Sequence, residues 1–289
     1  MEYPGGLKGW PMAEASRMIQ SKPHRWHVQI VGPPRAAPDL LFLHGAGATT
    51  HSWAGLIDRL KSRFRCIALD LPGHGFTRLG TRFRSGLRPM AEDVARLIAQ
   101  EGWQPQAIIG HSAGAAVALQ LARHMNPAPQ IIGLNPALEN FEGFAGWLFP
   151  VMAKALALNP LTALAFSAGP NPGARARRLI EGTGSHPPPE MMACYTRLIA
   201  DRQHIDGTLT MMSQWALNDL LRALPEITAA CHFITAAGDL AVPPAVAARA
   251  EERMQNTRLT ALDRLGHLAH EENPDLLAGV IQESLTLAA

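Results

Sequence analysis

The chain alternates short apolar runs with amphipathic stretches. Two early apolar segments, Trp26 to Val31 and Leu40 to Leu43, flank a Gly-Pro-Pro turn at Gly32 to Pro34, a pattern that predicts an antiparallel pair opening a sheet. Strand candidates then follow at Arg65 to Leu69, Ala107 to Ile109 and Gln130 to Gly133. Helix candidates at Ser52 to Leu60, Met90 to Gln100 and Ala115 to His124 alternate with them. Such alternation predicts an α/β architecture whose mostly parallel central sheet is covered by helices on both faces. Between Asn135 and Leu224 the strand signal gives way to helical stretches rich in Met, Leu, Ala and Pro, and it resumes at His232 to Ala236. The expected organisation is a core formed by residues 1–134 and 225–289, with residues 135–224 inserted as a helical cap. A helix at Ala245 to Met254, a strand at Arg258 to Leu262 and a helix from Pro274 to Leu285 close the chain.

The 289 residues suffice for one enzyme-sized unit with an insertion. With 26 basic and 24 acidic residues the net charge is only +2, which argues against electrostatic capture of nucleic acid. Cys66, Cys194 and Cys231 stand far apart in no ligand spacing and read as buried thiols of a reducing compartment. The start of the chain lacks the apolar core of a signal peptide, so a cytoplasmic location is expected. Phe141 to Ala168 is the longest apolar region, but Pro150, Lys154 and Pro160 interrupt it. That pattern speaks against a spanning helix while leaving peripheral contact with a bilayer open.

The sharpest chemical signal is Gly110-His111-Ser112-Ala113-Gly114, directly after a strand candidate and before an amphipathic helix candidate. In that context GxSxG reads as a nucleophile elbow, in which a sharp turn projects the serine and only small neighbours fit. A serine hydroxyl needs a histidine to accept its proton and an acid to orient the histidine. In the chain order serine, acid, histidine, the acid candidate is Asp239, just past the strand at 232–236, and the base candidate is His267. Asp263 is a fallback acid and His270 a rival base. The loop His44-Gly45-Ala46-Gly47 follows an early strand, and the backbone N–H groups of Ala46 and Ala113 are the expected oxyanion donors.

The blocks Leu43-His44-Gly45, Asp70-Leu71-Pro72-Gly73-His74-Gly75, the elbow at Ser112 and Gly266-His267 together resemble the α/β-hydrolase superfamily across most of the chain. Gly238 immediately before Asp239 departs from that superfamily's usual spacing. A narrower resemblance, to the magnesium-chelatase accessory protein family of bacteriochlorophyll biosynthesis, lies in Trp26-His27-Val28-Gln29, His51-Ser52-Trp53, Gly73-His74-Gly75-Phe76-Thr77, His111 to Ala116 and His267-Leu268-Ala269-His270-Glu271-Glu272. It implies photosynthesis, association with magnesium chelatase and a role near magnesium insertion into protoporphyrin; it names a pathway rather than a reaction. Three functions stay open on these grounds: serine hydrolysis of an ester-like or related acyl bond, a non-catalytic porphyrin-binding or chaperone role, and cofactor-free non-hydrolytic chemistry at the same site, since fold and triad do not fix the reaction.

A cap of this kind roofs a pocket. Its aromatic and Met side chains, among them Phe141, Phe144, Phe149, Met191, Met192 and Met212, suit a large, flat, apolar small molecule or form the cap's own core; the resemblance to the accessory protein family implies that such a molecule is a tetrapyrrole. His44, Trp147, Met152, Met211 and Trp215 are the pocket candidates, with His44 read as a hydrogen-bonding residue rather than a catalyst. Arg175, Arg177 and Arg178 suit substrate carboxylates or a solvated helix face, and Arg78, Arg82, Arg84 and Arg88 are open to the same two readings. Gly182-Thr183-Gly184-Ser185 lacks the lysine of a phosphate loop and reads as a turn of the cap. No metal-ligand spacing or dinucleotide fingerprint occurs, so neither metal nor cofactor is expected.

Overall fold

A computed structural model describes residues 1–34, 37–140, 163–164 and 167–287. Among these residues eight strands form one sheet: β1 (Ser16–Ser21), β2 (His24–Val31), β3 (Asp39–Leu43), β4 (Arg65–Leu69), β5 (Pro105–His111), β6 (Gln130–Leu134), β7 (Cys231–Ala236) and β8 (Thr257–Leu262). Their spatial order is β1-β2-β4-β3-β5-β6-β7-β8. The β1–β2 and β2–β4 pairs are antiparallel and every later pair is parallel.

The expected antiparallel pair of 26–31 with 40–43 does not form. β3 is buried along its whole length, and a strand apolar on both faces belongs in the interior of a parallel sheet. It therefore lies between β4 and β5, while β2 pairs with β1, whose Arg17 and Gln20 are exposed. The sheet face taken by each residue follows the two-residue period. Leu41, Leu43, Ile67, Leu69 and Ile108 share one apolar cluster; Leu40, Phe42, Cys66, Ala68 and Ile109 share the other.

The first cluster is covered by α2 (Leu87–Glu101), α3 (Ala113–Ala122) and α8 (Ala245–Glu251), and the second by α1 (Ala54–Leu60) and α10 (Pro274–Leu287). In α2 the residues Leu87, Met90, Ala91, Val94, Leu97 and Ile98 repeat at helical spacing and are all buried. The helix ends on Gly102, whose φ of +63° permits a left-handed cap. α3 is buried on every side, which explains its Ala- and Gly-rich sequence between sheet and α2. Four described helices lie between β6 and β7: α4 (Pro172–Glu181), α5 (Pro189–Ile199), α6 (Arg202–Gln214) and α7 (Asn218–Ala223). The short α9 (Ala269–Glu272) precedes α10. No helix among the described residues is long and apolar enough to cross a membrane. Most of the apolar region read as bilayer-compatible lies outside the described residues.

Candidate active site

β5 ends at His111 and α3 begins at Ala113, so Ser112 alone makes the turn, with φ 52° and ψ −117°. A non-glycine residue held there stores about 1–3 kcal/mol of strain, which persists only if the surroundings impose it. Ser112 N–H donates to Leu134 O at 3.0 Å, and Ser112 O accepts from Ala115 and Ala137 N–H at 3.1 and 3.2 Å. A Cβ on Gly114 would lie 2.0 Å from Leu43 O, and one on Gly110 would lie 2.5 Å from the α3 backbone. The glycines of GxSxG thus let α3 start flush against β3.

Asp239 follows β7 and His267 follows β8. His267 Nδ1 lies 2.7 Å from Asp239 Oδ2. The other carboxylate oxygen, Oδ1, accepts from the N–H groups of Ala241 and Val242, each at 2.8 Å. Because a carboxylate only accepts, Nδ1 carries the proton in this bond, and in neutral His267 the Nε2 is then the acceptor. The unusual Gly238-Asp239 spacing still lets the acid reach the histidine. Asp263 is exposed, and its carboxylate is not the one on the ring.

Ser112, His267, Ala46 and Ala113 border one cavity of about 770 Å³, at the carboxyl ends of the parallel strands where ligands of open α/β sheets bind. Ala113 is the first residue of α3, a position whose N–H has no acceptor within its helix. Met211 and Trp215 also line the cavity, with Met212, Leu217, Val242 and Val246. Trp147 and Met152 lie outside the described residues, as do Phe141, Phe144 and Phe149.

Some candidates sit elsewhere. His44 does not border the cavity: it is fully buried, its Nδ1 donates to Gly45 O at 2.7 Å and its Nε2 accepts from Leu71 N–H at 2.9 Å. Burial lowers its pKa, and the two bonds tie the Ala46 loop to the Asp70 loop. Burial pushes the Asp70 carboxyl up, but adjacent His27 at 2.8 Å and the N–H of Phe76 more than offset this and hold it well below the usual range. His270 is buried with Nε2 2.8 Å from Ser52 Oγ, and burial pushes its pKa down to about 3. Met191, Met192, Arg175, Arg177 and Arg178 do not border the cavity. Arg82, Arg84 and Arg88 pair with Asp206, Asp93 and Glu92.

Two groups escaped the sequence reading. Asn135, at a left-handed φ of 42°, donates to Gly266 O and His267 O at 3.2 and 2.9 Å and accepts from Ala236 N–H at 2.8 Å. It ties the ends of β6 and β7 to the His267 loop, assisted by His111, whose Nε2 donates to His267 O at 2.9 Å. Arg249 and Glu139, which pair with each other, and Asn140 and Asn218, bonded at 2.6 Å, give the cavity a polar margin. Among the described residues no cluster of His, Cys, Asp or Glu is arranged to hold a metal ion.

A sequence model described as the alpha/beta hydrolase family matches residues 40–280. The chain belongs to the α/β-hydrolase family. Over 276 residues, 96% of each chain, it is 43% identical to the magnesium-chelatase 30 kDa subunit of Rhodobacter capsulatus. It is 40% identical to protein phosphatase methylesterase 1 of Bos taurus over 102 residues, 34% of this chain and 27% of that one. Among solved structures, the epoxide hydrolase CorEH superposes with a TM-score of 0.78 at 20% identity, covering 95% of this chain and 99% of that one. The esterase EaEST of Exiguobacterium antarcticum gives 0.75 at 17% identity, covering 93% and 98%. At these identities the structural likeness is one of fold.

Proposed function

We propose that this α/β-hydrolase family member is a serine hydrolase acting on an ester-like or related acyl bond of an apolar small molecule. The observation that carries this reading is a serine at a strained elbow sharing one cavity with a histidine whose far nitrogen is bonded to a carboxylate. Ser112 Oγ attacks the acyl carbon while His267 Nε2 takes its proton; Asp239 fixes the tautomer and stabilises the imidazolium. The N–H groups of Ala46 and Ala113 receive the developing oxyanion. His267 then protonates the departing alcohol, and a water activated by the same nitrogen releases the acid and restores Ser112. No cofactor is needed. The helices between β6 and β7 act as the cap, and Met211, Met212 and Trp215 contact the apolar part of the substrate. Turnover of a graded series of activated acyl esters by wild type but not by Ser112→Ala supports this assignment; equal turnover by both contradicts it.

The full-length similarity to a protein named as a magnesium-chelatase subunit favours a second reading, in which the chain assists magnesium chelatase and the cavity holds a tetrapyrrole. The readings separate in cells. Loss of magnesium insertion on Ser112→Ala favours chemistry, and normal insertion in that variant favours binding.

A further inference from the structure

The turn after α4 enters the crevice between the loop carrying Asp239 and the loop carrying His267. Thr183 O accepts from the N–H of Leu240, next to Asp239, at 3.1 Å and from that of His267 at 3.4 Å. Ser185, fully buried, accepts from Leu268 N–H at 2.9 Å through its hydroxyl oxygen. That hydroxyl also meets Glu272, whose carboxylate takes the N–H of Gly266 at 3.0 Å. Between them stands Gly184, at φ +80°. A Cβ there would lie 2.0 Å from Gly238 O, and one on Gly266 would lie 2.2 Å from Gly184 O. Three backbones therefore touch directly, and side chains are excluded at each. The neighbours of Asp239 (Gly238 and Leu240) and of His267 (Gly266 and Leu268) all contact one turn of the insertion. A second close contact between insertion and core, Gly207 on Gly73, involves neither loop.

We propose that Thr183, Gly184 and Ser185 are positioning residues, which hold the two loops in the register that brings Asp239 onto His267. The proposal rests on the Ser-His-Asp reading. Thr183 acts through its carbonyl, Gly184 through its lack of a side chain and Ser185 through its hydroxyl. The insertion is then a component of the active site as well as its roof, and a ligand or partner that lifts this turn disarms Ser112.

The test compares full-length wild type with Ser185→Ala, Gly184→Ala and, as a control on insertion stability, Asn171→Ala, which removes the cap at the start of α4 where Asn171 accepts from Ala174 N–H. Two quantities are read at 25 °C on protein with native circular dichroism: the rate of fluorophosphonate labelling, and the far-downfield proton resonance of the His267–Asp239 hydrogen bond. Ser185→Ala slows labelling about tenfold, as for one lost hydrogen bond. Gly184→Ala slows it about a hundredfold, as for a displacement near 1 Å. Both shift or broaden the resonance, and Asn171→Ala changes neither reading. If Gly184→Ala does not fold, Ser185→Ala decides alone. An unchanged rate, or a slowed rate with an unchanged resonance, overturns the proposal. Wild type that is not labelled but shows the resonance, lost in Ser185→Ala, contradicts hydrolysis and upholds positioning; wild type with neither signal overturns both.

Discussion

His267 borders the cavity and bonds through Nδ1 to Asp239, whereas His270, three residues later, is sealed against Trp53 with its Nε2 on Ser52. The same short segment thus carries one histidine in reach of a ligand and one that belongs to the interior. Ser52 also donates to Glu271, which Tyr195 of α5 reaches at 2.7 Å. The sealed cluster therefore joins insertion to core by hydrogen bonds, with no opening on the cavity. A histidine and a serine within hydrogen-bond distance are insufficient for catalysis; access and an orienting acid separate the two regions.

Substitution separates them most strongly at the open site. His267→Ala lowers kcat by about 10⁶, and Asp239→Asn by about 10⁴ through loss of the correct tautomer, both measured by steady-state ester hydrolysis. His270→Ala instead costs about 3 kcal/mol of stability through the cavity it leaves and its severed bond to Ser52, seen in urea unfolding, with ester turnover within tenfold of wild type. Comparable losses of turnover at both histidines would erase the distinction.

pH sharpens the contrast. Burial holds His51 and His270 down to about 3 and His204 to about 4, against 6.5 in the unfolded chain. Between those values the unfolded chain binds protons that the folded chain refuses, so stability is fully present above 6.5 and is lost as pH falls towards about 4 for His204 and about 3 for His51 and His270. At pH 5 this amounts to about 2 kcal/mol per group, and acid unfolding should begin below pH 6. Glu271 behaves oppositely, because burial pushes its pKa up from 4.5 to about 7. The folded chain then holds the extra proton, and stability falls by up to about 3 kcal/mol as pH rises from 4.5 through 7. Glu271→Gln should remove that slope in urea unfolding between pH 5 and 8; an unchanged slope contradicts the assignment. The smallest effect is expected at Trp215→Ala, which should raise KM about tenfold for bulky apolar esters and leave it unaltered for acetyl esters.

The strand and helix rhythm was legible because β4 to β8 and their helices each carry a local apolar pattern. The opening of the sheet was not. Ser16–Ser21 has too few apolar residues to read as a strand, and the partner of β3 depends on burial of both its faces. Ser112 was legible for a related reason: the turn, the small neighbours and the flanking elements are contiguous in sequence. Asn135 acts on His267 across 132 positions, and the Gly184 turn acts on loops that follow it only after several helices. Neither carries a local signature beyond an Asn or a Gly at a turn. His44 looked like a cavity residue because it stands beside the Ala46 loop, but its side chain points to the backbone of Leu71.

The central claim, an activated serine at position 112, is tested most directly by intact-mass analysis of purified protein treated with a fluorophosphonate. A single adduct on wild type, absent from Ser112→Ala and His267→Ala, is the expected result. Folded wild type that forms no adduct, with a smaller phosphonate failing as well so that exclusion by the insertion is removed as a cause, would contradict it.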